Sequence, residues 1–310
     1  MLKGSLMIGA ALALAAAAPA AAKDLTSVGI TVGNLGNPFF VQVAKGAEAK
    51  AKELGGAGVN VTTVSADYDL NKQYSQIDNF IASGVDLILV NAADPEAIEP
   101  AIKRAQAAGI VVVAIDVSAK GADATVQTNN IEAGQKACQY IVDHLKDGGK
   151  VAIMNGPPVS AVIDRVKGCE EVLKKPGNIT ITSDNQNGKG SREGGLEVMV
   201  GLLTAVPDLN AVFTINDPQA IGADLAAKQV NVSDLMITSV DGAPDIEQAL
   251  KSETLIQASS AQDPYKMAQM AVQVGYDIMQ GKKPDQTTIL IPADLITRDN
   301  VGQYKGWTSK

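Results

Sequence analysis

The stretch "VDLILVNAADPEAIEPAIKRAQAAGIVVVAID", residues 85–116, decides the fold. It opens on an apolar, β-rich run, "VDLILVNA" (85–92), and closes on another, "IVVVAID" (110–116). Between them a turn leads into a segment of helical period from about Asp94 to Ala108. Each apolar run has the length of a strand, and both of its faces are apolar. That is the signature of parallel strands covered by helices on either side.

The same unit recurs along the chain. Further strand-like runs are "TSVGITVG" (26–33), "VNVTTVSA" (59–66), "KVAIMNG" (150–156), "ITITSD" (179–184), "AVFTIND" (211–217) and "LMITSVDG" (235–242). Helical segments are predicted at about 38–54, 71–83, 131–145, 159–173, 190–205, 218–228 and 264–280. Strand and helix alternate regularly, so the predicted class is α/β with doubly wound parallel sheets. Four units precede residue 128 and four follow it, separated by "SAKGADATVQTNN", which predicts two similar lobes.

The first 22 residues, "MLKGSLMIGAALALAAAAPAAA", have a lysine near the start, an apolar run from Leu6 to Ala18 and small residues at Ala20, Ala21 and Ala22. This is the pattern of a cleaved secretory signal peptide. The apolar run is short for a membrane span. Export places the mature protein in the periplasm. The whole chain carries a net charge of −8, and Lys3 is the only charged residue in the leader, so the mature part carries −9. Such an acidic chain is poorly suited to a phosphate backbone, and nucleic acid is not an expected partner.

Two cysteines and one histidine fall short of a structural zinc site. Cys138 and Cys169 form either one disulfide, which an exported protein permits, or a pair of buried thiols. No dinucleotide fingerprint, P-loop or nucleophile elbow is present. His144 lies near a helix end, away from the strand-end loops, so no catalytic dyad or triad is expected. No cofactor or metal is implied.

In open α/β sheets ligands bind beyond the carboxyl ends of the strands. The polar residues gather there. The first strand ends in "GNLGNPFF", with Asn37 as a helix N-cap and Pro38 at the first helical position. Phe39 and Phe40, half of the chain's four phenylalanines, follow at once. The fourth strand ends at Asp116. The second half adds Arg165, Asn216 with Asp217, Asp241 and Gln262. Carboxylates and amides pair with vicinal hydroxyls, Arg donates from a fixed fork, and aromatic faces cover the C–H face of a sugar ring. A polyhydroxylated ligand fits this set. Plainer roles compete: Phe40 lies on a stripe with Ala44, Ala47, Ala51 and Leu54 and is also a core candidate, whereas Phe39 falls off it. Asn216 suits a helix cap, Asp241 suits a turn, and Arg165 suits a surface ion pair with Asp164 or Glu170.

The motifs "GNPFFVQVAKGAEAKAKELG", "QIDNFIASGVDLILVNAADPEAI", "AAGIVVVAIDV", "AVFTINDPQAIGA", "ITSVDGAPD" and "AQDPY", in this order, resemble the type I periplasmic sugar-binding proteins of ABC importers. The likeness spans essentially the whole mature chain and is greatest to the ribose-binding members. It implies two lobes joined by a three-strand hinge, with crossings near Thr128, Gln262 and Asp294. One lobe would be 23–128 and 263–294, the other 129–262 and 295–310, with Trp307 packed on the surface of the second. The resemblance implies a monosaccharide or polyol held by Asn37, Phe39, Phe40, Asp116, Arg165, Asn216, Asp241 and Gln262. It implies a monomer that delivers this ligand to a membrane permease; the same fold also presents small signals to chemoreceptors. Val117 stands where the ribose binders carry arginine, and Gly190 best matches the position of their second-lobe aromatic. Those departures imply a larger sugar, a different anomer or a sugar alcohol.

Overall fold

In the computed structural model residues 24–307 are described, and the leader read at 1–22 lies outside them. Two six-stranded sheets carry the fold. The first contains β1 (Ser27–Val32), β2 (Asn60–Ser65), β3 (Leu87–Val90), β4 (Val111–Ile115), β5 (Ala124–Thr128) and β11 (Thr288–Ile291). Their order is β11-β5-β4-β3-β1-β2, and every pairing is parallel. The second contains β6 (Gly149–Asn155), β7 (Ile179–Asn187), β8 (Ala211–Thr214), β9 (Met236–Asp241), β10 (Ile256–Ala261) and β12 (Asp294–Thr297), in the order β12-β10-β9-β8-β6-β7. Only the β10–β12 pairing is antiparallel.

Helices cover these strands: α1 (Pro38–Gly55), α2 (Leu70–Ala82), α3 (Glu99–Ala107), α4 (Asn130–His144), α5 (Ser160–Leu173), α6 (Arg192–Ala205), α7 (Asp217–Gln229), α8 (Pro244–Leu250) and α9 (Pro264–Met279). The central strand β3 is buried at every position, as its apolar sequence requires. The edge strands β2 and β7 are not, and there the expectation of two apolar faces fails. Helix α3 begins at Glu99 rather than Asp94. Pro100 has no N–H to bond the carbonyl four residues back, so it is tolerated only in a first turn. The preceding residues form a turn in which the Asp94 carboxylate accepts from the amides of Glu96 and Ala97.

The separator expected at "SAKGADATVQTNN" contains a full strand, β5. Its partner on one side is β11, contributed from about 160 residues further along the chain, and no local pattern signals that pairing. The chain passes between the sheets three times, between β5 and α4, between β10 and α9, and between β11 and β12. The Thr128 hydroxyl donates to Gln262 Oε1 at 2.5 Å across the first two passages, and Lys136 Nζ donates to the Ala293 carbonyl at the third.

Helices α4 and α5 cross closely because neither carries a side chain at the contact. A Cβ on Gly134 would stand 2.1 Å from the Arg165 carbonyl oxygen, and one on Gly168 would stand 2.2 Å from that of Ile131. The approach brings Cys138 and Cys169 to a Cα–Cα distance of 5.1 Å, and the two are joined as a disulfide. It also delivers Arg165 to the end of the second sheet.

Candidate functional site

The site is assembled at the carboxyl ends of both sheets. Asn37 caps α1, its side-chain oxygen accepting from the Phe39 amide at 2.9 Å, with Pro38 next in line. This cap turns the chain so that Phe39 and Phe40 enter the gap between the sheets. Their rings meet edge to face with centroids 5.3 Å apart, and each is only 3 % exposed. The expectation that Phe39 lies off the core stripe is not met. The buried face of α1 runs through Phe39, Phe40, Val43, Ala47 and Ala51, while Ala44 is half-buried. Core and cleft wall are the same surface here.

Trp307 supports that wall from behind. It is buried rather than on the outside of the second lobe, with its ring 6.0 Å from Phe39 at 71°. A tryptophan is buried without penalty where its N–H finds an acceptor. Trp307 Nε1 finds one in the Gln262 carbonyl, at 2.9 Å.

Asp116, directly after β4, adopts a left-handed backbone with φ 68°. Asn91, directly after β3, donates from its amide to Asp116 Oδ2 at 2.8 Å. Asp116 Oδ1 is buried and has no hydrogen-bond partner among the described residues. Burial pushes this carboxyl up to about 7, and the Asp241 charge adds to the rise; the Arg165 guanidinium and the Asn91 amide oppose it.

From the other sheet comes Arg165, buried and not on the surface. Its Nε donates to Asn130 Oδ1 at 2.8 Å, and its Nη1 donates to the Ile215 carbonyl at 2.8 Å and faces Asp241 Oδ1 at 3.4 Å. Of the two surface partners considered for it, Asp164 and Glu170, neither pairs with it among the described residues, and Glu170 pairs with Lys174 instead. Asp241 ends β9 at φ 136° and accepts from Gln262 Nε2 at 2.6 Å. Burial raises its carboxyl to about 6, with Arg165 and Gln262 opposing. Asn216 is both helix cap and cleft residue: its side-chain oxygen accepts from the Gln219 amide, and its side-chain nitrogen donates to the Gly190 carbonyl. Asp217 is committed inward, accepting from Ser239, Ser259 and the Ala243 amide.

All eight residues expected at the site line one small cavity of about 40 Å³. The larger concavity along β7 and α6, about 680 Å³, includes none of them. Gly190 lines the cavity at φ 64°, as expected of a pocket that lacks a side chain there. Val117 is buried in the apolar core and does not line it. His144 is exposed at the end of α4 and stacks on Tyr140. No group of metal ligands occurs among the described residues, and no helix there is long and apolar enough to cross a membrane.

Two residues of the site were not singled out in the sequence. Asn91 stands at a strand end, the place where the other polar residues were found, and that rule would have included it. Tyr68, in "ADYDL" after β2, lines the cavity and also the concavity of about 440 Å³ outside it. Its only local signal is an aromatic flanked by two turn-forming aspartates.

A model of the periplasmic binding protein domain matches residues 28–283. The ribose import binding protein of Bacillus subtilis is 36% identical over 279 residues, which cover 89% of this chain and 88% of that protein. The D-apiose import binding protein of Paraburkholderia graminis is 32% identical, covering 86% of each. Among solved structures, the binding protein of the arabinose ABC transporter from Shewanella sp. ANA-3, bound to α- and β-L-arabinofuranose, superposes with a TM-score of 0.83. It is 27% identical, and the match covers 90% of this chain and 94% of that one.

Proposed function

The chain belongs to the periplasmic binding protein family, and on that premise we propose that it captures a five-carbon sugar or sugar alcohol in the cleft and delivers it to an ABC permease. The observation that carries this reading is the convergence of eight polar and aromatic residues from both sheets on one cavity, one of them, Asp116, keeping its Oδ1 without a hydrogen-bond partner among the described residues. A ligand hydroxyl supplies the missing donor. Arg165 and Asn216 offer N–H groups to ligand oxygens, Asp241 accepts, and Phe39 and Phe40 cover the carbon face. The names of the two import proteins and of the arabinofuranose complex support a five-carbon ligand.

The two lobes of this reading are 23–128 with 263–294, and 129–262 with 295–310. They open and close about the three passages between sheets. Closure buries the hydroxyls against matched partners, and a missing hydroxyl leaves one unpaired, at about 1–3 kcal/mol. Selectivity arises from that cost. The protein works as a periplasmic monomer after loss of residues 1–22, binds without turnover, and in its closed form also suits a chemoreceptor.

A thermal-shift screen of protein refolded from denaturant tests this. D-ribose, D-apiose, L-arabinose, xylitol, myo-inositol and a set of amino acids are the compounds. At 1,000 times its dissociation constant a ligand adds about 4 kcal/mol, enough for several degrees. A shift with a sugar or polyol is expected. A shift with amino acids alone, or with nothing, overturns the reading.

A further inference from the structure

Asp67 and Tyr68 lie in succession in the left-handed region, at φ 54° and φ 59°. Non-glycine residues avoid that region, and two together are held only where surrounding contacts dictate them. Here those contacts are local. Ser65 Oγ and Lys72 Nζ both donate to the Asp67 carboxylate, and the Asp69 amide closes the turn on the Ala66 carbonyl. Asp69 then caps α2.

The strained turn aims the Tyr68 ring across the end of β1. Gly33 makes room for it, since a Cβ at that position would stand 2.6 Å from Tyr68 Cε1. Tyr68 lines both the small cavity and the outer concavity, as do Asn37 on its own lobe and Gly190 on the other. The carbonyls of Gly33 and Ala66 and the Asp67 carboxylate all have donors in this turn, and none of those donors is the phenol of Tyr68. Burial, reinforced by the charges of Asp116 and Asp241, holds that phenol well above its usual range, so it keeps its proton and acts as a donor.

We propose that Tyr68 is a ligand-contacting residue of the cleft: its ring covers the outer carbon face of the bound sugar or polyol, and its hydroxyl donates to a ligand oxygen at the cleft mouth. This rests on the carbohydrate reading of the site. It makes Tyr68 the residue that selects the substituent carried at the outer end of the ligand. It also supplies from the first lobe the aromatic face that Gly190 does not supply from the second.

Two variants test the proposal. Tyr68→Phe keeps the ring and removes the hydroxyl; Tyr68→Asn removes the ring with a residue that tolerates a left-handed backbone. Each is compared with the unmodified chain by calorimetric titration with D-ribose, D-apiose, L-arabinose, xylitol and myo-inositol, and by melting without ligand. For whichever compound binds the unmodified chain, Tyr68→Phe is expected to weaken binding about tenfold, the worth of one hydrogen bond. Tyr68→Asn is expected to weaken it further, while the ligand-free melting temperature of both variants stays within a few degrees. Unchanged affinity in Tyr68→Phe overturns the hydroxyl contact. A large fall in ligand-free melting temperature with unchanged affinity shows that the ring serves packing alone, and overturns the proposal. If no compound binds the unmodified chain, the carbohydrate reading is at fault and the proposal falls with it.

Discussion

Asp116→Asn separates the needs of the ligand from those of the fold. Asn has the same shape, tolerates the left-handed backbone, and can still accept from Asn91. It lacks the charge. In the ligand-free protein the carboxyl titrates at about 7 instead of near 4, a rise of about three units caused first by burial. Each unit is worth about 1.4 kcal/mol, so the ionised form costs the folded state about 4 kcal/mol. Part of that sum is the repulsion from Asp241. The sign follows from proton counts: between pH 4 and 7 the folded protein binds a proton that the unfolded chain has released, so stability falls as pH rises through that window. Asp116→Asn has no such loss. Its stability relative to the unmodified chain should be near zero at pH 4, grow through the window and level off above pH 7, on the order of 10 °C in melting temperature. Sugar affinity should fall at the same time, because the acceptor is gone. Urea unfolding at half-unit pH steps measures the first effect and calorimetry the second. A gain that is the same at every pH, or a loss of stability at pH 8, refutes the reasoning.

Two further outcomes follow from the same site and from the disulfide. Hydroxyl donors require ionised Asp116 and Asp241, raised to about 7 and about 6, so affinity should rise with pH to about 7, and binding near pH 6 should release protons. Titration in two buffers of different ionisation heat measures that release, and an affinity flat from pH 5 to 8 sinks the assignment. Replacing both Cys138 and Cys169 by serine opens a link across 31 residues and should cost about 3–4 kcal/mol in urea unfolding, with sugar affinity unchanged. A large loss of affinity at full folding contradicts the separation of that disulfide from the cleft.

The strand–helix units were legible because β1, β3, β4 and β8 are apolar on both faces, and because Asn37 announces the helix that follows it. The strands β5 and β10 were not, since polar residues interrupt them. Gln127, Ser259 and Ser260 are nevertheless buried. The two serines are satisfied by distant groups: Ser259 donates to Asp217, and Ser260 to the Ala133 carbonyl. Partners 42 and 127 residues away leave no local trace. At the site, the strand-end rule located Asp116, Asn216 and Asp241. Tyr68 escaped it because its aim depends on a backbone angle, and Trp307 because its partners, Phe39 and the Gln262 carbonyl, come from two other parts of the chain.

If the cleft binds as proposed, the division of labour between its two sides implies an order of events. All three aromatic faces, Phe39, Phe40 and Tyr68, come from helices and turns of the first sheet, as does Asp116 with its unpartnered oxygen. On the opposite side the polar groups are already bonded to one another: Arg165 to Asn130 and Asp241, Asp241 to Gln262, Asn216 to the Gly190 carbonyl. On the proposed reading, a sugar meeting the cleft gains most from the first side, which offers it stacking faces and an acceptor. The second side offers donors and acceptors already held by one another, and on the proposed reading they lose little entropy when closure brings them onto the ligand. Gln262 lies where both requirements meet. Its side chain joins Thr128 to Asp241 and its carbonyl holds Trp307, which rests on Phe39. A shift of the second passage between the sheets thus moves an acceptor of one side and the support of an aromatic wall on the other. On the proposed reading, hinge and pocket share Gln262, and closure is coupled through it to a ligand that fits both sides.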